Sequence, residues 1–160
     1  MAEMANPVIA RVERFLVIGV EARTTNAREI SGEGAIGALW DRLAKEGFVE
    51  RIPRRVDDRI IAAYSHYENG KDGEYSFLLG AKVGMAQDIP DGMASREIVA
   101  GDYAMFTAKG GPPAEMVIGI WKEVWSLEED KKLTRSYQTD FEMYSASAVV
   151  EVYIGLLAAA

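Results

Sequence analysis

Hydrophobic side chains recur along this chain with two periods, which predict strands and helices in a repeating order. Residues 12–23 form an apolar run typical of a strand that is covered on both faces. Residues 34–46 instead carry apolar side chains at the three- and four-residue spacing of an amphipathic helix, which Gly47 would end. Residues 59–68 and 74–83 alternate as two strands, joined by a turn rich in glycine, asparagine and aspartate.

The same order of elements recurs in the second half of the chain. After a turn at the Pro-Asp-Gly of residues 90–92, residues 95–107 predict a strand with a bend near Gly101, and residues 114–127 predict a second amphipathic helix. The apolar stripes of the two helices match at a constant offset. The matching pairs are Ile36 with Val117, Leu39 with Ile120, Trp40 with Trp121, and Leu43 with Val124. We infer an internal duplication from this match.

The stretch of residues 140–156 predicts a β-hairpin whose two strands are rich in valine, isoleucine and aromatic residues. We expect an even turn centred on Ser147 and Ala148, which would place two glutamates and two tyrosines on one face. These four residues are Glu142, Tyr144, Glu151 and Tyr153. An odd turn would turn one strand over and separate them. Such a face is either a solvated surface or a cleft wall for a flat, positively charged organic molecule.

Together these elements predict an α+β fold made of duplicated β-α-β-β units with pseudo-twofold symmetry. Repeat one would span residues 8–86 and repeat two residues 93–157, within a single domain of residues 1–160. Each unit would pack one main helix on one face of an antiparallel sheet. Two such units leave a central cleft between them, which is a common position for a ligand.

Composition excludes several classes of protein. With 49% apolar and 27% charged residues the chain is globular, and no apolar run is long enough to span a bilayer. A net charge of −7 makes nucleic acid a poor direct partner and weakly favours cationic ligands. The absence of cysteine and the single histidine exclude thiolate catalysis and the common zinc sites, so we expect neither a metal nor a cofactor. The N-terminus does not have the pattern of a secretion signal, and we expect a cytoplasmic protein, monomeric or weakly dimeric, that does not bind membranes.

Residues 32–37 match the G-x-G-x-x-G pattern of dinucleotide-binding loops. That motif needs a strand that runs directly into the glycines of a parallel βαβ unit. Here about eight polar or small residues separate the predicted strand from the glycines, and a hairpin follows the helix. We interpret the glycines as a flexible entrance to the first helix, with a nucleotide site as the alternative.

Several phrases of the sequence, in this order, resemble the GyrI-like or bacterial effector-binding domain family. They are VIGVEARTTN, GALWDRL, YSHYENGKDGEYSFLLGAKV, IVAGDYAMFT, and DFEMY followed by VEVYIGL, and the similarity runs from Val8 to Leu157. The chain is especially similar to the effector-binding proteins of integron cassettes. The resemblance implies a pseudo-twofold α+β fold whose cleft binds amphipathic, often cationic, aromatic compounds. Two departures are Gly155, where many relatives carry proline, and the lack of a preceding helix-turn-helix, which puts direct transcriptional control in doubt.

The resemblance also implies which residues line the cleft. A glutamate of the penultimate strand, here Glu142, and an acidic-x-Tyr pair of the last strand, here Glu151 and Tyr153, would do so. In an aromatic cleft these carboxyls would have raised pKa values and act as counter-ions for a cation or as an acid–base pair. Trp40 and Trp121 either fill the core or present a ring edge to the cleft. Further candidates for the same wall are Tyr64, Tyr75, Tyr103, Trp125 and Tyr144.

From these residues we expect a standalone protein that binds amphipathic, cationic aromatic compounds, for drug sensing or sequestration. The alternative is a hydrolase that opens cyclopropane-containing, DNA-alkylating natural products, as some standalone relatives resemble such enzymes. Glu142 would then be the base, and Tyr144 or Tyr153 the proton donor. A third hypothesis, suggested by the family name, is an interaction protein whose partner is a topoisomerase.

Overall fold

One antiparallel sheet carries both halves of the chain. The computed structural model describes residues 3–4, 6–145 and 148–158, and these ranges contain nine strands and three α-helices. In chain order the elements are β1 (Glu3–Met4), β2 (Val8–Val12), β3 (Phe15–Thr24), α1 (Asn26–Ser31), α2 (Ile36–Glu46), a 3₁₀ helix (Phe48–Arg51), β4 (Ile60–Ser65), β5 (Tyr75–Val83), β6 (Ala94–Ile98), β7 (Gly101–Lys109), α3 (Pro113–Glu129), β8 (Arg135–Ser145) and β9 (Val149–Leu156).

The two halves have the same strand order and meet at the centre of the sheet. The sheet runs β1-β7-β9-β8-β4-β5-β3-β6, and β2 pairs with β7 beside β1. In the first half β5 lies between β3 and β4, and in the second β9 lies between β7 and β8. The inner strands β4 and β8 pair with each other, with Ala62 opposite Glu142. The α+β fold class predicted from the sequence is confirmed, whereas the duplication of the chain remains a prediction.

Both main helices pack on the same face of this sheet, where each buries its apolar stripe. From α2, Leu39 joins a core cluster with Ile18, Phe77 and Leu79 of the first half. From α3, Ile120 packs with Phe106, Val152 and Ile154 of the second half. The opposite face of the sheet holds a third cluster, which includes Phe15, Ile98, Tyr103 and Phe141. The helix face therefore has two cores, with the β4–β8 seam between them.

The strand boundaries differ from the predicted ones at both edges of the sheet. The predicted strand of residues 95–107 is two strands, since β6 pairs with β3 of the first half while β7 pairs with β9 of the second. The N-terminal strand β2 lies on the far edge, against β7. Each half is thus widened by a strand from the other half of the chain.

The turn between β8 and β9 is odd, so the register predicted for this hairpin is wrong. Ser145 pairs with Val149, which leaves three residues in the loop, and Glu142 faces Val152. The expected turn centre at Ser147 lies outside the described residues. Because side chains alternate along a strand, one extra loop residue turns β9 over relative to β8. Glu142 and Tyr144 therefore share the helix face, and Glu151 and Tyr153 lie on the opposite face.

The glycines of residues 32–37 are explained by a carboxylate of the protein itself. The short helix α1, which sequence analysis missed, ends at Gly32. Its Glu29 accepts a hydrogen bond from the backbone N–H of Ala35 at 2.8 Å, at the start of α2. A Cβ at Gly34 would lie 2.0 Å from the Glu29 carboxylate, so a larger residue there would displace that side chain from its present position. The helix N-terminus where a phosphate would bind is already occupied by Glu29, which argues against the nucleotide alternative.

Strands β3 and β5 approach each other closely where Gly19 pairs with Gly80. A Cβ at Gly80 would lie 1.9 Å from the carbonyl oxygen of Ile18, and backbone cannot move away as a flexible side chain can. We expect Gly80→Ala to lower the free energy of unfolding by about 3 kcal/mol, the upper range for an overpacked core. Urea unfolding followed by circular dichroism measures this.

The matched control for this substitution is Gly84→Ala, just beyond the end of β5. A Cβ there meets nothing within 4 Å, so we expect a change of no more than about 0.5 kcal/mol. Equal effects of the two substitutions would show that the Gly19–Gly80 contact does not constrain the sheet.

Candidate functional site

A cavity of about 1080 Å³ lies between the helices, over the seam of the sheet. Helices α1 and α2 line one side, α3 lines the other, and side chains of β4 and β8 contribute to its lining. Trp121 and Trp125 of α3 lie about one helical turn apart and reach the same wall, because residues four apart share a helix face. Of the residues proposed from the sequence, those that line this cavity are Trp40, Tyr64, Tyr75, Trp121, Trp125 and Tyr144.

Glu142 lies immediately behind this lining and is the common acceptor of three of its aromatic side chains. The Tyr64 hydroxyl and the Trp121 indole N–H donate to Oε2 at 2.6 and 2.7 Å, and the Tyr144 hydroxyl donates to Oε1 at 2.6 Å. The Glu142 residue is 1% exposed. Its carboxylate is therefore shielded from bulk solvent and held by three neutral donors from β4, α3 and β8.

Burial controls the ionisation of this cluster. Desolvation raises the pKa of Glu142 above the ordinary 4.5, and the hydrogen bonds from Tyr144, Tyr64 and Trp121 oppose that rise. Desolvation and the neighbouring Glu142 charge also raise the pKa values of Tyr64 and Tyr144. Both hydroxyls thus keep their protons and remain donors to the carboxylate.

The rings around Glu142 contact one another edge to face. The Trp40 and Tyr144 ring centroids are 4.8 Å apart, and those of Tyr64 and Trp121 are 5.2 Å apart. Trp121 lies on α3 and Trp40 on α2, at the positions that matched in the sequence, and both line the cavity. Such edge contacts orient the rings and leave electron-rich faces as part of the wall.

A second buried network, which sequence analysis missed, adjoins the same cavity. Arg135 forms an ion pair with Asp140 at 2.8 Å, and their side chains are 2% and 0% exposed. Asp140 also accepts hydrogen bonds from the Tyr67 hydroxyl at 2.5 Å and the Gly155 backbone N–H at 2.8 Å. An irregular register in β8 between Arg135 and Asp140 brings these residues together. The signal that could have revealed this network was a basic and an acidic residue, Arg135 and Asp140, within one largely buried strand.

Three of the proposed residues are not brought to the cavity. Tyr103, Glu151 and Tyr153 lie on the opposite face of the sheet, because the odd turn inverts β9 relative to the expected register. The Tyr153 ring stacks on Phe141 at 4.4 Å, and the Tyr103 hydroxyl is 2.7 Å from the hydroxyl of Thr139. These contacts belong to the third core cluster and give the two tyrosines a structural role there.

Among the residues that the structure describes, no cluster of three histidine, cysteine, aspartate or glutamate side chains could hold a metal ion. Within the same ranges no helix is both long and apolar enough to cross a membrane.

An antiparallel α+β fold with a buried carboxylate behind the aromatic wall of a cavity is suited to binding a small-molecule effector. The chain belongs to the Cass2 family of integron-associated effector binding proteins, whose model matches residues 8–156. This finding confirms the family resemblance drawn from the sequence.

Individual proteins show the same relationship. The chain is 38% identical over 133 residues to YobU of Bacillus subtilis (strain 168), named as a candidate transcriptional regulator, and the match covers 82% of each protein. The integron cassette protein VCH_CASS2, from the mobile metagenome of Vibrio cholerae, superposes with a TM-score of 0.82 at 26% identity over 98% of this chain and 99% of that one. SAV2435, solved bound to tetraphenylphosphonium, superposes with a TM-score of 0.75 over 96% and 94% of the two chains, and its 15% identity shows the fold alone.

The raised pKa of Glu142 makes stability depend on pH. A carboxyl whose folded pKa exceeds its unfolded value contributes stability that is present below the unfolded pKa and is lost as pH rises through the folded one. Glu142→Gln removes this loss. We expect its free energy of unfolding to exceed that of the wild type by about 1 kcal/mol at pH 8, and the difference to shrink as pH falls towards about 4. Urea unfolding at a series of pH values measures it.

The opposite trend would contradict this interpretation. If Glu142→Gln became progressively less stable than the wild type as pH rose, the ionised carboxylate would be favoured by the fold. Tyr64→Phe is the control for the hydrogen bonds, since it removes one donor to Glu142 and keeps the ring. We expect it to be less stable than the wild type above the pKa of Glu142, because the buried charge loses one of its three partners.

Proposed function

We propose that this protein binds amphipathic aromatic cations in the cavity between its helices, for drug sensing or sequestration. One observation carries the proposal: the Glu142 carboxylate is buried behind the cavity wall. Among the described residues, its hydrogen-bond partners are three neutral aromatic donors. A buried charge without an opposite charge is costly, and an organic cation in the cavity would supply that charge.

The aromatic side chains transmit the charge of Glu142 to the cavity. Each ring that donates a hydrogen bond to the carboxylate gains electron density, which makes its face more attractive to a cation. The cation–π attraction amounts to about 0.5 to 2 kcal/mol per ring, and the ligand need not displace the hydrogen bonds to gain it. Apolar parts of the ligand would contact Ile36, Val117 and Trp125 in the same lining.

The relatives support a ligand of this class. SAV2435 shares the fold and was solved with tetraphenylphosphonium, an organic cation whose charge is surrounded by four phenyl rings. The relation to YobU, a candidate transcriptional regulator, supports a role in sensing such compounds. The hydrolase hypothesis stays a prediction. The geometry supports binding more than hydrolysis, because both oxygens of Glu142 accept hydrogen bonds from ring donors, which stabilise the carboxylate rather than free it to act as a base.

Two matched substitutions test the role of the carboxylate. We expect Glu142→Gln to weaken tetraphenylphosphonium binding about 10- to 50-fold, since a unit charge several ångströms from the ligand contributes about 1.4 to 2.4 kcal/mol at an effective dielectric constant near 20. Glu151→Gln should leave the affinity within about twofold, because Glu151 lies on the other face of the sheet. Isothermal titration calorimetry measures both. A larger loss with Glu151→Gln would contradict the assignment of the cavity as the cation site.

Cation affinity should also depend on pH. Protonation removes the charge of Glu142, and its pKa is raised above 4.5 by burial. We therefore expect the affinity for tetraphenylphosphonium to fall as pH decreases through that raised pKa, whereas triphenylphosphine oxide, a neutral relative, should bind independently of pH. In Glu142→Gln the pH dependence for the cation should disappear. A dependence that persists in this variant would assign the titration to another group.

A further inference from the structure

The aromatic wall of the cavity already contains a cation of the protein. The guanidinium carbon of Arg135 lies 4.2 Å from the ring centroid of Tyr137, 5.4 Å from that of Trp121 and 5.7 Å from that of Tyr67. Arg135, Tyr67 and Trp121 all line the cavity. These three contacts are of the same kind that an organic cation would make.

This guanidinium is fixed in place and stays charged. Asp140 binds it at 2.8 Å, and Glu128 of α3 lies 3.7 Å from it. Burial, the largest single effect, would lower the pKa of Arg135, but the charge of Asp140, the neighbouring Tyr67 and Tyr137 and the hydrogen bond to Asp140 together raise it. Asp140 is itself held by Tyr67 and by the backbone of Gly155, so the pair cannot swing into solvent without breaking several buried hydrogen bonds.

Trp121 divides the wall into two halves of different character. Its indole N–H donates to Glu142, and its ring also contacts Arg135. We call the side with Trp40, Tyr64 and Tyr144 the Glu142 half, and the side with Tyr67 and Arg135 the Arg135 half. The Glu142 half has a carboxylate and no cation among the described contacts of its rings. In the Arg135 half the resident guanidinium balances Asp140, and Glu128, whose side chain is 20% exposed, is partly screened by solvent.

We propose that the Arg135 guanidinium occupies the aromatic faces in its half of the wall and thereby directs the single positive charge of a ligand to the Glu142 half. This inference rests on the proposed function and narrows the class of ligand. A second cationic group at the far end of a ligand would meet rings whose faces are already in contact with a cation, and it would lie close to that cation in a region of low dielectric constant. The preferred ligands are therefore monocations with a flat apolar body that extends towards Trp125 and Arg135.

A pair of probes with the same body tests this selectivity. One is naphthalene with a trimethylammonium-methyl arm at position 2, and the other has a second such arm at position 6. We expect the wild type to bind the monocation at least about tenfold more tightly than the dication by calorimetry. In the double variant Arg135→Met with Asp140→Asn, which removes both charges together, the ratio should fall to about threefold or less. A ratio unchanged by the double substitution would overturn the proposal.

A control variant separates the buried cation from the general charge of the cavity. Lys122 also lines the cavity but is exposed, so Lys122→Met removes a positive charge from the solvent-accessible part of the lining. The preference for the monocation should persist in this variant, and its loss would assign the selectivity to Lys122 instead of Arg135.

A naphthalene whose ammonium arm is replaced by a neutral neopentyl group tests the underlying function. If it binds the wild type as tightly as the monocation does, cation binding itself fails, whatever the ratio of the charged probes.

The orientation of the ligand provides a test that needs no substitution. A crystal of the wild type with the monocation that carries bromine at position 6 would show the bromine by its anomalous signal. We expect the bromine near Trp125 and the Arg135 half, with the ammonium near Tyr144. The reverse orientation, with the ammonium over Tyr67, would overturn the proposal even if the double variant did not fold.

Discussion

The site depends on one buried carboxylate and on the three aromatic donors that make its burial tolerable. Glu142 stands at the seam where the two halves of the sheet meet, and Tyr64, Trp121 and Tyr144 reach it from β4, α3 and β8. An isolated carboxylate at this depth would be protonated or would destabilise the fold. Because the donors are also the cavity wall, the interactions that keep the charge buried also orient the rings that a ligand would contact.

On the other side of Trp121, the ion pair of Arg135 and Asp140 also holds several elements together around a buried charge. Asp140 connects β8 with β9 through the backbone of Gly155, and Arg135 connects β8 with Glu128 of α3. Buried ion pairs add little net stability over apolar packing, but they define which groups must be neighbours. Glu142 and Arg135 thus both position α3 over the sheet through their contacts with Trp121. The cavity between the helices keeps its shape because its wall is held by directional contacts and not by apolar packing alone.

Much of the fold follows from local hydrophobic patterns. Half of the site depends instead on the length of one loop and on an irregular strand pairing, which such patterns do not contain. The helical stripes and the alternating strands identify α2, α3 and the two hairpins, because burial of an apolar face imposes a period on the sequence. They do not reveal the length of the β8–β9 loop, and that error moved Glu151 and Tyr153 to the wrong face. Arg135 and Tyr67 were missed because they lie 68 residues apart along the chain. Only the irregular pairing of β8 brings them together.

The odd loop between β8 and β9 has a consequence for how this hairpin tolerates insertions and deletions. Losing or gaining a single residue between Ser145 and Val149 would exchange the two sides of β9. Val150, Val152 and Ile154 would leave the core under α3, and Glu151 with Tyr153 would take their place in an apolar cluster. Changes of two residues preserve the parity. Length variation among homologues at this loop is therefore expected in steps of two.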